Sequence, residues 1–171
     1  MKGYIQVYTG EGKGKTTAAL GLALRALGAG LRVALIQFLK KGEYSEIRAL
    51  TNFGPWVEVW QFHSGGFVRG EPDEAVKEAV ALGWDKARRI ILSGDFEVGI
   101  LDEINLVLHL GLIPVSEVLE VLSSRPEGVE VVLTGRYAPR ALIEAADLVT
   151  EMRKVKHYYD RGVPARKGIE K

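Results

Sequence analysis

Gly10-Glu11-Gly12-Lys13-Gly14-Lys15-Thr16-Thr17 stands between the apolar run Tyr4 to Tyr8 and a helical stretch that carries Ala18, Ala19, Leu20, Leu22, Ala23 and Leu24. Glycines let backbone N–H groups turn inward around an anion, and a helix start adds partial positive charge. Lys15 adds a full charge, and the Thr16 hydroxyl can bind Mg²⁺. The glycine frame is one residue shorter than G-x-x-x-x-G-K-[ST], because the position five before Gly14 is Thr9. A shorter loop alters how far a triphosphate wraps, so ordinary β–γ hydrolysis is not the expected geometry.

Outward from this loop, short runs rich in Val and Ile recur at Arg32 to Leu39, Val57 to Phe62, Phe96 to Leu101 and Glu130 to Thr134. Most lack alternation, as parallel strands covered on both faces require. Helical stretches lie between them, at about Lys15 to Leu27, Ser45 to Phe53, Glu74 to Leu92, Ser116 to Ser124 and Pro139 to Ala146. The expected fold is α/β: a doubly wound, mostly parallel sheet of the P-loop nucleotide-binding (RecA-like) type with helices on both faces. No repeat or linker divides the chain, so residues 1–171 are expected to form a single domain.

Ligands of such a sheet sit beyond the carboxyl ends of the strands. There Val98-Gly99-Ile100-Leu101 ends in Asp102-Glu103. An apolar strand closing on a carboxylate is the Walker-B arrangement, in which an acid holds Mg²⁺ directly or through water. Glu103 is then either a general base or another magnesium contact. His63, His109 and His157 are too far apart in sequence for a local ligand pair. His109 reads as a helix-face residue, and His63, at a strand end, can approach a ligand.

Composition narrows the class further. There is no cysteine, which excludes disulfide scaffolds, thiolate zinc sites, iron–sulfur clusters and Cys nucleophiles. The start of the chain lacks a signal-peptide pattern and no segment approaches about 18 uncharged apolar residues, so a soluble, cytoplasmic protein is expected. The formal net charge is +1. Residues 153–171 carry seven Lys/Arg against Asp160 and Glu170, which is +5 and leaves −4 on the remainder. A basic end on an acidic body points to an anionic partner, either a small polyanion or nucleic acid.

The loop Gly10 to Thr17, Gln37-Phe38-Leu39-Lys40-Lys41-Gly42, Leu101-Asp102-Glu103 and Thr134-Gly135-Arg136 occur in order. They are followed by Ala146 to Met152, Val155-Lys156-His157 and Gly168-Ile169-Glu170. Together they resemble the ATP:corrinoid adenosyltransferases of the CobA type over nearly the whole chain. The resemblance implies transfer of the 5′-deoxyadenosyl group of ATP to the cobalt of a reduced corrinoid, with triphosphate released, in adenosylcobalamin biosynthesis or corrinoid salvage. The bond broken is C5′–O, so the triphosphate is a leaving group that needs clamping more than hydrolysis.

On that resemblance Gly10, Glu11, Gly12, Lys13, Gly14, Lys15, Thr16 and Thr17 form the nucleotide-binding loop. Arg136 is a further phosphate contact, and Lys156 is a contact from the closing segment. Thr16 with Asp102 or Glu103 holds Mg²⁺ or Mn²⁺. Co(I) is itself the nucleophile, so no Ser, Cys or His base is required. Phe67, within Ser64 to Gly70, matches an aromatic that lies near cobalt and favours a four-coordinate, more reducible centre. Arg69 stands where related sequences commonly have Trp. Lys15, Glu103 and Phe67 are thus the expected catalytic residues. An electron donor such as a flavoprotein and a homodimeric state are also implied, with no nucleic-acid or membrane partner.

The competing class is a RecA-like ATPase acting on nucleic acid. The basic residues lack the interleaved aromatic platform expected for single strands, and 171 residues leave no room for a separate DNA-binding module. A nucleotide-sensing module without turnover is a third reading.

Overall fold

The computed structural model describes residues 1–40, 42, 44–63 and 72–170. Lys41, Phe67 and Arg69 lie outside the described residues. Six strands alternate with helices: β1 (Ile5–Thr9), α1 (Lys15–Gly28), β2 (Val33–Phe38), α2 (Ser45–Leu50), β3 (Val57–Phe62) and α3 (Glu74–Ser93). The chain continues through β4 (Val98–Asp102), α4 (Ile104–His109), α5 (Val115–Ser124), β5 (Glu130–Thr134), α6 (Arg140–Ala145) and β6 (Leu148–Glu151).

The strands form one sheet in the order β3-β2-β4-β5-β1-β6, and every pairing is parallel. All residues of β2 and β4 are buried, which is why their sequences read as unbroken apolar runs. Alternate side chains feed two cores. Val33, Leu35, Ile100 and Val132 pack with the small Ala19 and Ala23 of α1 and with Leu50 of α2. Ile36, Phe38, Leu101 and Leu133 pack with α3, α4, α5 and Leu142 of α6. The doubly wound expectation therefore holds, with the whole sheet parallel.

The helix ends follow local chemistry. Asp73 caps α3 by accepting from the Val76 amide at 2.8 Å, and Gly94 ends it in the left-handed conformation. Gly83 stands inside the unbroken α3 because a Cβ there would come within 2.9 Å of the Phe38 and Phe62 rings. Close approach to the sheet thus outweighs a helix-propensity cost of about 1 kcal/mol. The stretch Ser45 to Phe53 is α-helical only to Leu50. It tightens to a 3-10 segment over Thr51–Trp56 that contains Gly54 at φ 56° and Pro55.

Among the strands, β6 went unforeseen in the sequence: it is an edge strand exposed along its length and carries no strong periodic signal. α4, six residues long, was anticipated only through His109 as a helix-face residue. Among the described residues, no helix is long and apolar enough to cross a membrane. The loops after β1 and β2 lead to helices on one face of the sheet, and those after β3, β4 and β5 to helices on the other. A crevice therefore opens beyond the strand ends, between these two sets of connections.

Candidate functional site

The glycine loop lies against the far end of the chain. The Met152 amide donates to Thr9 O at 2.8 Å, and the Gly12 amide donates to Met152 O at 2.6 Å. A Cβ on Gly12 would stand 2.7 Å from Met152 O and 2.8 Å from the Arg153 carbonyl, so no larger residue fits without moving the backbone. The side chain of Lys15 folds back into the loop, with Nζ donating to Gly10 O at 2.6 Å and Gly12 O at 2.8 Å. Only 8% of this residue is exposed, and burial pulls its pKa below that of an ordinary lysine, against the opposing charge of Glu103. α1 has no side-chain cap at its start. Its first-turn amides are therefore not satisfied by a capping side chain and are placed to receive an anion.

Beside the loop, Asp102 is fully buried at the end of β4 and accepts four hydrogen bonds. Oδ1 receives the hydroxyls of Thr16 (2.8 Å) and Thr134 (2.6 Å). Oδ2 receives the Gln37 amide (3.0 Å) and the Lys40 ammonium (2.7 Å). Gln37 is itself fixed by accepting from Gln61 Nε2 at 2.8 Å. Burial opposes the charge on Asp102, but Lys40 and these donors outweigh it and hold the carboxyl below the usual range. Burial likewise opposes the Lys40 charge, and Asp102 with Glu103 raises its pKa above the ordinary value. Lys40 Nζ also lies 3.0 Å from Thr16 Oγ1 and 3.5 Å from Glu103 Oε1.

Three non-glycine residues at the strand ends adopt positive φ: Leu39 (55°) after β2, Glu103 (66°) after β4 and Tyr137 (59°) after β5. Each such conformation costs of order 1 kcal/mol or more, and strained residues of this kind cluster at working sites.

A cleft of about 830 Å³, a size suited to a nucleotide, opens beside the loop, with the buried Asp102 network beneath it. Lys13, Gly14, Lys15, Thr16, Thr17, Lys40, Glu103 and Arg136 all face it. Arg136 pairs with Glu11 at 3.2 Å, both half exposed. His157, Ile169 and Glu170 of the basic end complete the wall, whereas Lys156 is exposed and not part of the lining. Lys13 Nζ reaches Ile169 O at 3.2 Å and Glu170 Oε1 at 3.3 Å. Arg166 and the Tyr158 hydroxyl hold the Glu170 carboxyl well below the usual range.

The structure thus brings together Lys15, Thr16, Asp102, Glu103 and, more loosely, Lys13 and Arg136. Among the described residues, no cluster of three or more His, Cys, Asp or Glu could hold a metal. Any cation here would rest on two carboxylates and the Thr16 hydroxyl, a hard oxygen set suited to Mg²⁺ or Mn²⁺. His109 sits exposed near the end of α4, stacked on Tyr137 with centroids 4.6 Å apart, in keeping with a helix-face residue. His63, partly buried after β3, is not part of the cleft lining.

Lys40, Gln37, Thr134 and Met152 received no individual role from the sequence. One signal was present: Gln37 is a polar residue inside the apolar run Val33 to Phe38, and such a residue is buried only with partners.

The family model described as ATP:corrinoid adenosyltransferase BtuR/CobO/CobP matches residues 1–170. A corrinoid adenosyltransferase of Escherichia coli is 38% identical over 173 residues, which cover 99% of this chain and 86% of that protein. A corrinoid adenosyltransferase of Sinorhizobium sp is 41% identical over 175 residues, covering 99% and 80%. The uncharacterized protein all2391 of Nostoc sp. is 41% identical over an aligned length of 172 that covers 92% of this chain but 45% of that longer protein. The cleft, its loop and its strand-end acids are therefore those of a member of the ATP:corrinoid adenosyltransferase BtuR/CobO/CobP family, to which this chain belongs.

Proposed function

We propose that this chain transfers the 5′-deoxyadenosyl group of ATP to the Co(I) centre of a reduced corrinoid. Co(I) supplies the electron pair that bonds to C5′, the C5′–O bond breaks, and the pair leaves with the oxygen of inorganic triphosphate. What supports this reading is the meeting of the short glycine loop, Lys15 and the Thr16–Asp102 pair in one cleft of a chain that matches the family over residues 1–170.

The roles follow from charge. Lys15, the loop amides and the start of α1 bind the triphosphate, and Lys13 and Arg136 extend that binding along the cleft. Their electrostatic stabilisation grows as negative charge develops on the leaving group. Thr16, Asp102 and Glu103 would hold Mg²⁺ or Mn²⁺; the oxygens of Thr16 and Asp102 already converge on one cation, the Lys40 ammonium. Such a metal, when bound, neutralises part of the triphosphate charge. Glu103 is then a metal contact, and no general base is needed. Phe67, outside the described residues, is assigned from the family resemblance alone as the aromatic that would stand near cobalt and favour its four-coordinate state. The reducing equivalent comes from a donor such as a flavoprotein, and the working unit is a homodimer.

The experiment is product identification. With ATP, Mg²⁺ and chemically reduced cobalamin, the expected products are triphosphate and a light-sensitive Co–C compound. Orthophosphate without that compound would overturn the proposal and favour an ATPase.

A further inference from the structure

We infer that the Lys40 ammonium is the resident counter-ion of the divalent-metal position, so that a metal enters only as Lys40 leaves. The inference rests on the proposed role of Thr16, Asp102 and Glu103 as the metal site. Lys40 Nζ already lies against all three, at 3.0 Å from Thr16 Oγ1, 2.7 Å from Asp102 Oδ2 and 3.5 Å from Glu103 Oε1. A divalent ion bound by the same oxygens at its shorter ligand distances would share their space with the ammonium and repel it.

The partners of Asp102 show which one can yield. Gln37 and Thr134 are fully buried and cannot withdraw. Lys40 lines the open cleft with 23% of its side chain exposed, so its ammonium can swing out toward the volume a triphosphate would fill. The backbone at the root of that side chain is held, with Leu39 at φ 55° and its amide donating to Phe62 O at 3.0 Å. Charge points the same way. One ammonium leaves the two carboxylates one unit short of neutral, whereas a divalent ion alone neutralises them.

Two consequences follow. Metal without nucleotide binds weakly, because it must displace an ammonium that then has no new partner. ATP brings an anion for the freed Lys40, so metal and nucleotide bind cooperatively. An ammonium seated 99 times in 100 weakens metal binding about a hundredfold, since the competent state is only that fraction of the population.

The test uses Mn²⁺ alone with the full chain and no nucleotide, read as loss of the free-Mn²⁺ electron paramagnetic resonance signal and by calorimetry. Lys40→Met is expected to bind Mn²⁺ at least tenfold more tightly than the parent chain. Lys40→Gln, whose shorter side chain removes the charge and stays polar, is expected to do the same and serves if the Met variant fails to fold. Adding Glu103→Gln should remove much of the gain. If neither Lys40 variant binds more tightly while Glu103→Gln weakens binding, the counter-ion role is wrong and the metal site stands. If Mn²⁺ affinity ignores Glu103→Gln in every background, the counter-ion role falls together with the metal assignment.

Discussion

Replacing Asp102 by Asn keeps the shape of the side chain and removes its charge. Asp102 has no solvent exposure and accepts from Thr16, Thr134, Gln37 and Lys40. An amide can preserve most of these bonds by turning its oxygen toward Gln37 and Lys40. What it cannot preserve is the negative charge 2.7 Å from the Lys40 ammonium. Removing one partner of a buried pair costs about 3–5 kcal/mol. Lys40 is partly open to water and has Glu103 within reach at 3.5 Å, which places the cost near the lower end, about 3 kcal/mol. For a chain of this length that is a fall in Tm of roughly 6–12 °C.

Urea unfolding of the ligand-free protein measures the effect, and a cycle with Lys40→Met isolates the pair. The double variant should be more stable than the two single costs imply, by about 2 kcal/mol. The pH dependence has a definite sign. Asp102 titrates below its unfolded value, so its contribution is present above about pH 3.9 and disappears as pH falls through the lower native value. The stability gap between parent and variant should be flat from about pH 5 to 9 and close only in strong acid. A cost under about 1 kcal/mol, or a cycle additive within about 0.5 kcal/mol, refutes the reasoning.

Lys15→Ala removes the charge that caps the loop carbonyls and should raise the Kd for ATP by roughly 10- to 100-fold by calorimetry, with turnover lost in parallel. Gly12→Ala forces a methyl against Met152 O and the Arg153 carbonyl. It should destabilise the fold by about 1–3 kcal/mol in urea and weaken ATP binding, whereas unchanged ATP affinity would mean the loop tolerates displacement. Phe67→Ala should leave ATP affinity unchanged and slow adenosylation that starts from Co(II) more than adenosylation that starts from chemically prepared Co(I). Loss of ATP affinity alone would overturn the proposal that Phe67 acts at cobalt.

What was legible in the sequence was whatever left a local pattern. β2 and β4 announce themselves because both faces are covered, and α3 because an Asp cap and a terminal glycine bracket a long amphipathic run. The loop and the strand-end acids are read from spacing alone. β6 was hidden because an edge strand need bury neither face, and its Leu148 and Val149 remain exposed. The glycines of the loop were read as a phosphate device. The structure adds a second demand, the backbone of residues 152–153 pressed against them. Lys40 was hidden for a related reason. Its value lies in a meeting with Asp102 across 62 positions of chain, which no local window contains. At the basic end, charge and motif order drew attention to Lys156, and the structure adds its neighbour His157 to the cleft lining.

The bracing of the loop by Met152 also bears on how the chain matures during synthesis. β1 pairs with β6, and the Ile5 amide donates to Asp147 Oδ2 across 142 residues. At ribosomal speeds of about 5–20 residues per second, the first strand therefore waits roughly 7–30 s for that neighbour to be made. Until then the nucleotide loop has no wall behind it, and β1 has both edges open until β5 is made and one edge open from then until β6 is made. The nucleotide loop thus gains its support long after it is made, which delays nucleotide capture until residues 148–153 have emerged.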